Sequence, residues 1–125
     1  MRALVIDDAK VMRMILRKIL TSLGFDVSEA SDGREGMAML RQSPEIELAL
    51  VDFYMPDMDG VEFVRAVRSD RAYDAIRLLM VTSEEEPARI EMALQAGADD
   101  YLHKPFGRQE TIDKIQGLGI ALSTL

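Results

Sequence analysis

The sequence predicts an α/β fold: a doubly wound (βα)5 unit around a five-stranded parallel sheet, in a single domain spanning residues 1–125. Compact apolar runs of strand length, Ala3 to Ile6, Leu48 to Val51 and Leu78 to Val81, alternate with stretches whose apolar residues recur at helical spacing. Those runs are continuously apolar, as in strands covered by helices on both faces. A chain of 125 residues holds one domain's core, and 48% hydrophobic with 30% charged residues is ordinary for a globular protein.

Each element has its own signal. Strand 2–6 (RALVI) opens the chain. Helix 9–23 follows, with Met12, Ile15, Leu16, Ile19 and Leu23 on one predicted face. Strand 25–29 (FDVSE) alternates apolar and polar residues, the mark of an edge. Helix 33–42 carries Met37 and Leu40, strand 46–51 is apolar throughout its centre, and helix 60–69 carries Val64 and Val67. Strand 77–82 precedes helix 86–96, where Pro87 suits a first turn and three glutamates meet the positive helix end. Ile90, Ala93 and Leu94 give that helix its apolar face, and Gly97 closes it. Strand 99–103 is short and polar, a second edge. Helix 107–123 buries Ile112, Ile115, Leu118 and Leu122, but Gly117 and Gly119 each cost about 1 kcal/mol against helix relative to Ala, so its end is either frayed or closely packed. Strict β–α alternation implies parallel strands with helical crossovers. Two edges at the second and fifth strands give the order 2-1-3-4-5, a flavodoxin-like arrangement.

Composition narrows the function. With no cysteine there is no disulfide framework and no thiolate metal site, which fits a reducing, cytoplasmic setting. A net charge of −7 argues against direct nucleic-acid binding. No apolar run is long enough to span a bilayer, and MRALVIDD meets two acids before any signal-peptide core.

The residues that follow the strands are the informative ones. Strand 1 runs into Asp7 and Asp8, strand 3 into Asp52, strand 4 into Thr82 and strand 5 into Lys104. In an open parallel sheet these carboxyl ends share one edge, where ligands bind. Three carboxylates in one crevice repel one another and call for a cation. With oxygen donors and no His or Cys cluster the ion should be hard, and Mg²⁺ is the expected cofactor. An ionised Asp52 can then attack phosphorus and carry an aspartyl phosphate, with Lys104 neutralising phosphoryl oxygens and Thr82 donating a hydroxyl.

Neighbouring residues have plainer roles. Asp57 and Asp59 read as turn and N-cap residues around Gly60. His103, the only histidine, points away from Leu102 and is assigned no chemistry. Met12, Met37 and Met92 sit at helical spacing and read as core filling. Glu84 to Glu86 form a solvated helix start that leaves Glu84 near the site, and Tyr101 is an edge-strand tyrosine half-buried against the last helix.

The stretches VIDDAKVMR (5–13), LVDFYMPDMDG (50–60), MVTSE (80–84) and AGADDYLHKPF (96–106) resemble the response-regulator receiver domain, most closely its single-domain, chemotaxis-type members. The resemblance covers the whole chain. It implies Asp52 as phosphoacceptor, Mg²⁺ held by Asp7, Asp8, Asp52 and the Tyr54 backbone carbonyl, and Lys104 paired with Asp52 or the phosphoryl group. Thr82 and Tyr101 would switch together, Lys104–Pro105 would be a cis peptide, and the helix 4–strand 5–helix 5 surface would be the output. It further implies a histidine kinase or histidine phosphotransfer protein as donor, a downstream protein target or fused effector domain, and a monomer or phosphorylation-dependent dimer. Two departures stand out: Tyr54 is bulky at a position where smaller polar groups help align water, and Glu84 sits two residues past Thr82. Two other functions remain at this point, a Mg²⁺-dependent small-substrate phosphatase using Asp52 and a pseudo-receiver that only binds partners.

Overall fold

The computed structural model describes residues 1–122. Strands β1 (Arg2–Ile6), β2 (Asp26–Ala30), β3 (Ile46–Asp52), β4 (Arg77–Thr82) and β5 (Asp100–His103) alternate with helices α1 (Lys10–Ser22), α2 (Gly33–Gln42), α3 (Gly60–Arg68), α4 (Pro87–Ala96) and α5 (Arg108–Gly117). All strand pairs are parallel, in the order β2-β1-β3-β4-β5. This is the predicted flavodoxin-like sheet.

The central strands bury both faces, so two apolar cores form. One lies under α2, α3 and α4 and takes Leu4, Ile6, Ala49, Val51, Leu78 and Met80 from the sheet. The other lies under α1 and α5 and takes Ala3, Val5, Leu48, Leu50, Leu79 and Val81. Successive residues of one strand thus alternate between cores, which is why the runs are continuously apolar.

Helix ends follow local chemistry. Asp32 and Asp59 cap α2 and α3, each accepting a backbone N–H three residues on. Pro87 occupies the first turn of α4, and Gly97 ends it at φ +123°. A single 3-10 turn, Arg71–Tyr73, joins α3 to β4 and was not anticipated.

Three expectations need correction. Ile15 is 44% exposed, and the buried face of α1 runs instead through Leu16 and Leu20, leaving Val11, Met14 and Ile15 in solvent. Met92 is half-exposed on α4 and fills no core, whereas Met12 and Met37 do pack inward. The last helix ends at Gly117, with Gly119 at φ +86°; the expected end at residue 123 lies outside the described residues. A methyl group at Gly117 would meet nothing within 4 Å, so close packing is not why glycine stands there.

Gly60 is the opposite case. A Cβ there would lie 2.4 Å from the Asp52 carbonyl oxygen and 3.0 Å from the Phe53 Cα, both backbone atoms that have nowhere to go. Gly60→Ala should therefore lower stability by about 2 kcal/mol or more, as overpacking does. Gly117→Ala should raise it by up to about 1 kcal/mol. Urea denaturation of both variants checks the pair; equal effects would mean that the β3–α3 turn is not tight.

Candidate functional site

β1, β3, β4 and β5 end along one edge of the sheet, and their backbone ties them there. Asp7 N–H donates to Ala30 O, Phe53 N–H to Val81 O, and Lys104 N–H to Thr82 O at 2.7 Å. The turn after β3 is closed by Gly60 N–H donating to Phe53 O at 2.9 Å, with Asp57 in the left-handed region at φ 68°. Asp57 and Asp59 are turn and cap residues, as expected. Lys104–Pro105 is a cis peptide.

This scaffold brings Asp7, Asp8 and Asp52 together: one carboxylate oxygen from each lies within 4.8 Å of the others. Asp7 and Asp52 are buried, at 1% and 8% exposure, while Asp8 faces solvent. A single ammonium answers them, with Lys104 Nζ 3.4 Å from Asp52 Oδ1 and 3.8 Å from Asp7 Oδ2. Asp7 Oδ1 accepts the Ala9 N–H at 2.9 Å, but Oδ2 is buried without a hydrogen-bond partner. Neither acid caps α1, whose N-cap is Ala9.

Two carboxylates sunk in a poorly hydrated crevice hold their protons tightly. Burial first, and then the Asp7 charge, push Asp52 up to about 6 against the pull of Lys104. Asp7 is also raised, chiefly by burial. A buried oxygen without a hydrogen bond and three convergent carboxylates beside one ammonium are what a hard cation relieves, so these residues fit a metal ion.

Thr82 is buried, and its Oγ1 accepts the Glu84 N–H at 2.8 Å, leaving its own O–H to donate. Tyr101 pairs with Met80 across β4 and β5, as His103 does with Thr82, so Tyr101 and Thr82 share a face two positions apart. The Tyr101 ring is half-buried against the α3–α4 core. Tyr54, half-exposed, donates its hydroxyl to the Glu84 carboxylate. That bond lowers Glu84 and raises Tyr54 from their ordinary proton affinities.

Two participants escaped sequence reasoning. Arg13 donates to the Asp7 carbonyl at 2.7 Å and to Glu29 at 3.2 Å, bracing the turn that presents both acids. Its place six residues past Asp7, on the second turn of a helix whose side chains lean back toward the N-terminus, was the available clue. Lys114 over Tyr101 had no such clue.

Comparison with known proteins agrees with this geometry. The response regulator receiver domain family matches residues 3–116. A chemotaxis protein CheY homolog of Campylobacter jejuni is 38% identical over 117 residues, covering 93% of this chain and 90% of that protein. Chemotaxis protein CheY of Pseudomonas aeruginosa is also 38% identical, over 93% and 94% of the two chains. Among solved structures, Vibrio cholerae CheY4 superposes with a TM-score of 0.88 at 32% identity, covering 94% of this chain and 97% of that one. A two-component response regulator/GGDEF domain protein reaches the same TM-score at 31% identity, where this chain spans 48% of a longer one. By family match and by identity over nearly the whole chain, this protein belongs to the response regulator receiver domains, CheY-type regulatory domains rather than enzymes acting on an outside substrate.

Proposed function

We propose that Asp52 accepts a phosphoryl group with the help of Mg²⁺ and that this chain relays the resulting charge to a partner protein. The observation that carries the reading is the charge imbalance at the β-strand ends: Asp7, Asp8 and Asp52 converge, the Lys104 ammonium pairs with Asp7 and Asp52, and Asp7 Oδ2 is buried without a hydrogen bond. Mg²⁺ suits an all-oxygen donor set, with Asp7, Asp8, Asp52 and the Tyr54 backbone carbonyl as its protein ligands. When bound, the ion supplies positive charge to the phosphoryl oxygens and keeps Asp52 ionised.

Receiver family membership implies a histidine kinase as partner; a histidine phosphotransfer protein can stand in its place. In the transfer, an Asp52 carboxylate oxygen attacks phosphorus, the phosphorus–nitrogen bond of the donor phosphohistidine breaks, and the imidazole keeps the electron pair and takes a proton. Lys104 follows the charge from Asp52 onto the phosphoryl group, and the Thr82 hydroxyl donates to it. Tyr101, on the same sheet face, then follows Thr82 and changes the α4–β5–α5 surface that a target reads. The chemotaxis names of the relatives support a cytoplasmic signalling role of that kind.

Intact mass after incubation with a small-molecule phosphodonor tests the reading. Wild type should gain one phosphoryl group only with Mg²⁺, and Asp52→Asn should gain none. An adduct of equal yield in the variant would remove Asp52 from the role.

A pH dependence follows from the buried acids. Folding raises Asp52 from the ordinary 3.8 to about 6, so the metal-free folded state binds more protons than the unfolded chain between those values. Stability is then lost as pH rises through that window, and above about 6 the fold carries the full cost of an ionised Asp52. Without metal, Asp52→Asn should melt close to wild type near pH 4 and clearly above it at pH 7.5, and Mg²⁺ should narrow the gap. A gap independent of pH would refute the assignment of the buried charge.

Tyr54 and Glu84 bear on the lifetime of the phosphoryl group. Their hydrogen bond joins the turn after β3, two residues past Asp52, to the turn after the neighbouring β4. A ring held there narrows the approach of a hydrolytic water, so Tyr54→Ala should shorten the phosphoryl half-life several-fold in a dephosphorylation time course. A longer half-life in that variant would reverse the sign of this contribution.

A further inference from the structure

The Tyr101 ring is not free at the sheet edge. Lys114, on α5, places its ammonium 4.8 Å from the ring centroid. The same ammonium lies 3.2 Å from Asp100 Oδ1, and that oxygen also accepts the Tyr101 backbone N–H at 2.8 Å. One carboxylate oxygen therefore fixes both the cation and the backbone of the residue whose ring the cation covers. The Lys114 and Asp100 side chains are about a third exposed (34% and 35%), so the group sits where the fold meets solvent rather than in the core.

An ion pair between neighbours at such exposure contributes little to stability. What the arrangement does is aim a charge at an aromatic face, an attraction that shifts a two-state ring population roughly two- to fivefold at exposed sites. We propose that Lys114, held by Asp100, is a positioning residue for Tyr101: it anchors the ring at its resting place and so sets how readily the ring follows Thr82. The proposal deepens the reading of Tyr101 as the switch aromatic and rests on it. It also joins α5 to the phosphorylation site through one side chain, since Tyr101 shares its sheet face with Thr82.

The test uses Lys114→Met, which keeps the aliphatic stem without charge, and Lys114→Arg, which keeps a cation over the ring. The ring carbon signals of Tyr101, one of three tyrosines, are assigned by their loss in Tyr101→Phe. The rate of phosphorylation by a small phosphodonor with Mg²⁺ is measured alongside, with Tyr101→Ala as control. Lys114→Met should move the Tyr101 signals and change the rate roughly two- to fivefold, and Lys114→Arg should restore both. Asp100→Asn should act in the same direction and serves if Lys114→Met folds poorly. Unchanged ring signals in Lys114→Met, or no rescue by arginine, would overturn the proposal alone if Tyr101→Ala still alters the rate. A wild-type rate in Tyr101→Ala would sink the switch reading and this inference with it.

Discussion

Everything near the functional edge depends on burying two carboxylates beside one ammonium. The sheet makes this unavoidable. β1 and β3 bury apolar runs on both faces and are adjacent, so the acids that end those runs, Asp7 just past β1 and Asp52 as the last residue of β3, emerge from low-dielectric surroundings rather than from open solvent. Lys104 offsets part of the repulsion from 3.4 Å and 3.8 Å, and Asp7 Oδ2 is left without a hydrogen bond. A fold selected only for stability would place neutral groups there. Under the proposed reading, the residual repulsion is what gives the site an affinity for a cation and for the phosphoryl group that the cation accompanies.

That electrostatic load is tolerable because the backbone around it is fixed from several directions. The turn after β3 is locked by the Gly60 N–H and crowded by the Asp52 carbonyl. Arg13 holds the Asp7 carbonyl, and Thr82 O anchors the backbone of Lys104. Carboxylates on loose loops would drift apart and lower their own energy by hydration. Here they are kept buried as well as close, and burial above all raises their proton affinities instead.

Much of this was legible in the sequence, for definable reasons. Strands buried on both faces leave unmistakable apolar runs, and two polar edge strands then fix the order, so the convergence of Asp7, Asp8, Asp52, Thr82 and Lys104 follows from topology alone. The misreadings occur where a pattern had two solutions. α1 carries apolar residues around more than one face, and 3.6-residue spacing fits Ile15 as well as Leu20; the sheet chose Leu20. Met92 kept helical spacing yet lies half-exposed on α4. The pairings Tyr54–Glu84, 30 residues apart, and Lys114–Tyr101 were illegible because they depend on side-chain reach after the strands are assembled.

The size of the switch can be argued from Thr82. Its Oγ1 accepts the Glu84 N–H at 2.8 Å, a bond with a net worth of about 1 kcal/mol that holds the oxygen and leaves the O–H to donate. Under the proposed reading, a phosphoryl group on Asp52 would offer the free O–H a charged acceptor, and charge-assisted bonds are roughly twice as strong as neutral ones. That gain is of the order of a single hydrogen bond, not of a refolding event. An equilibrium balanced that finely would respond to small forces on its other members, and a cation over Tyr101 is one such force. Under the proposed reading, the large repulsion at the site makes binding possible, and the small differences at Thr82 and Tyr101 make the result reversible.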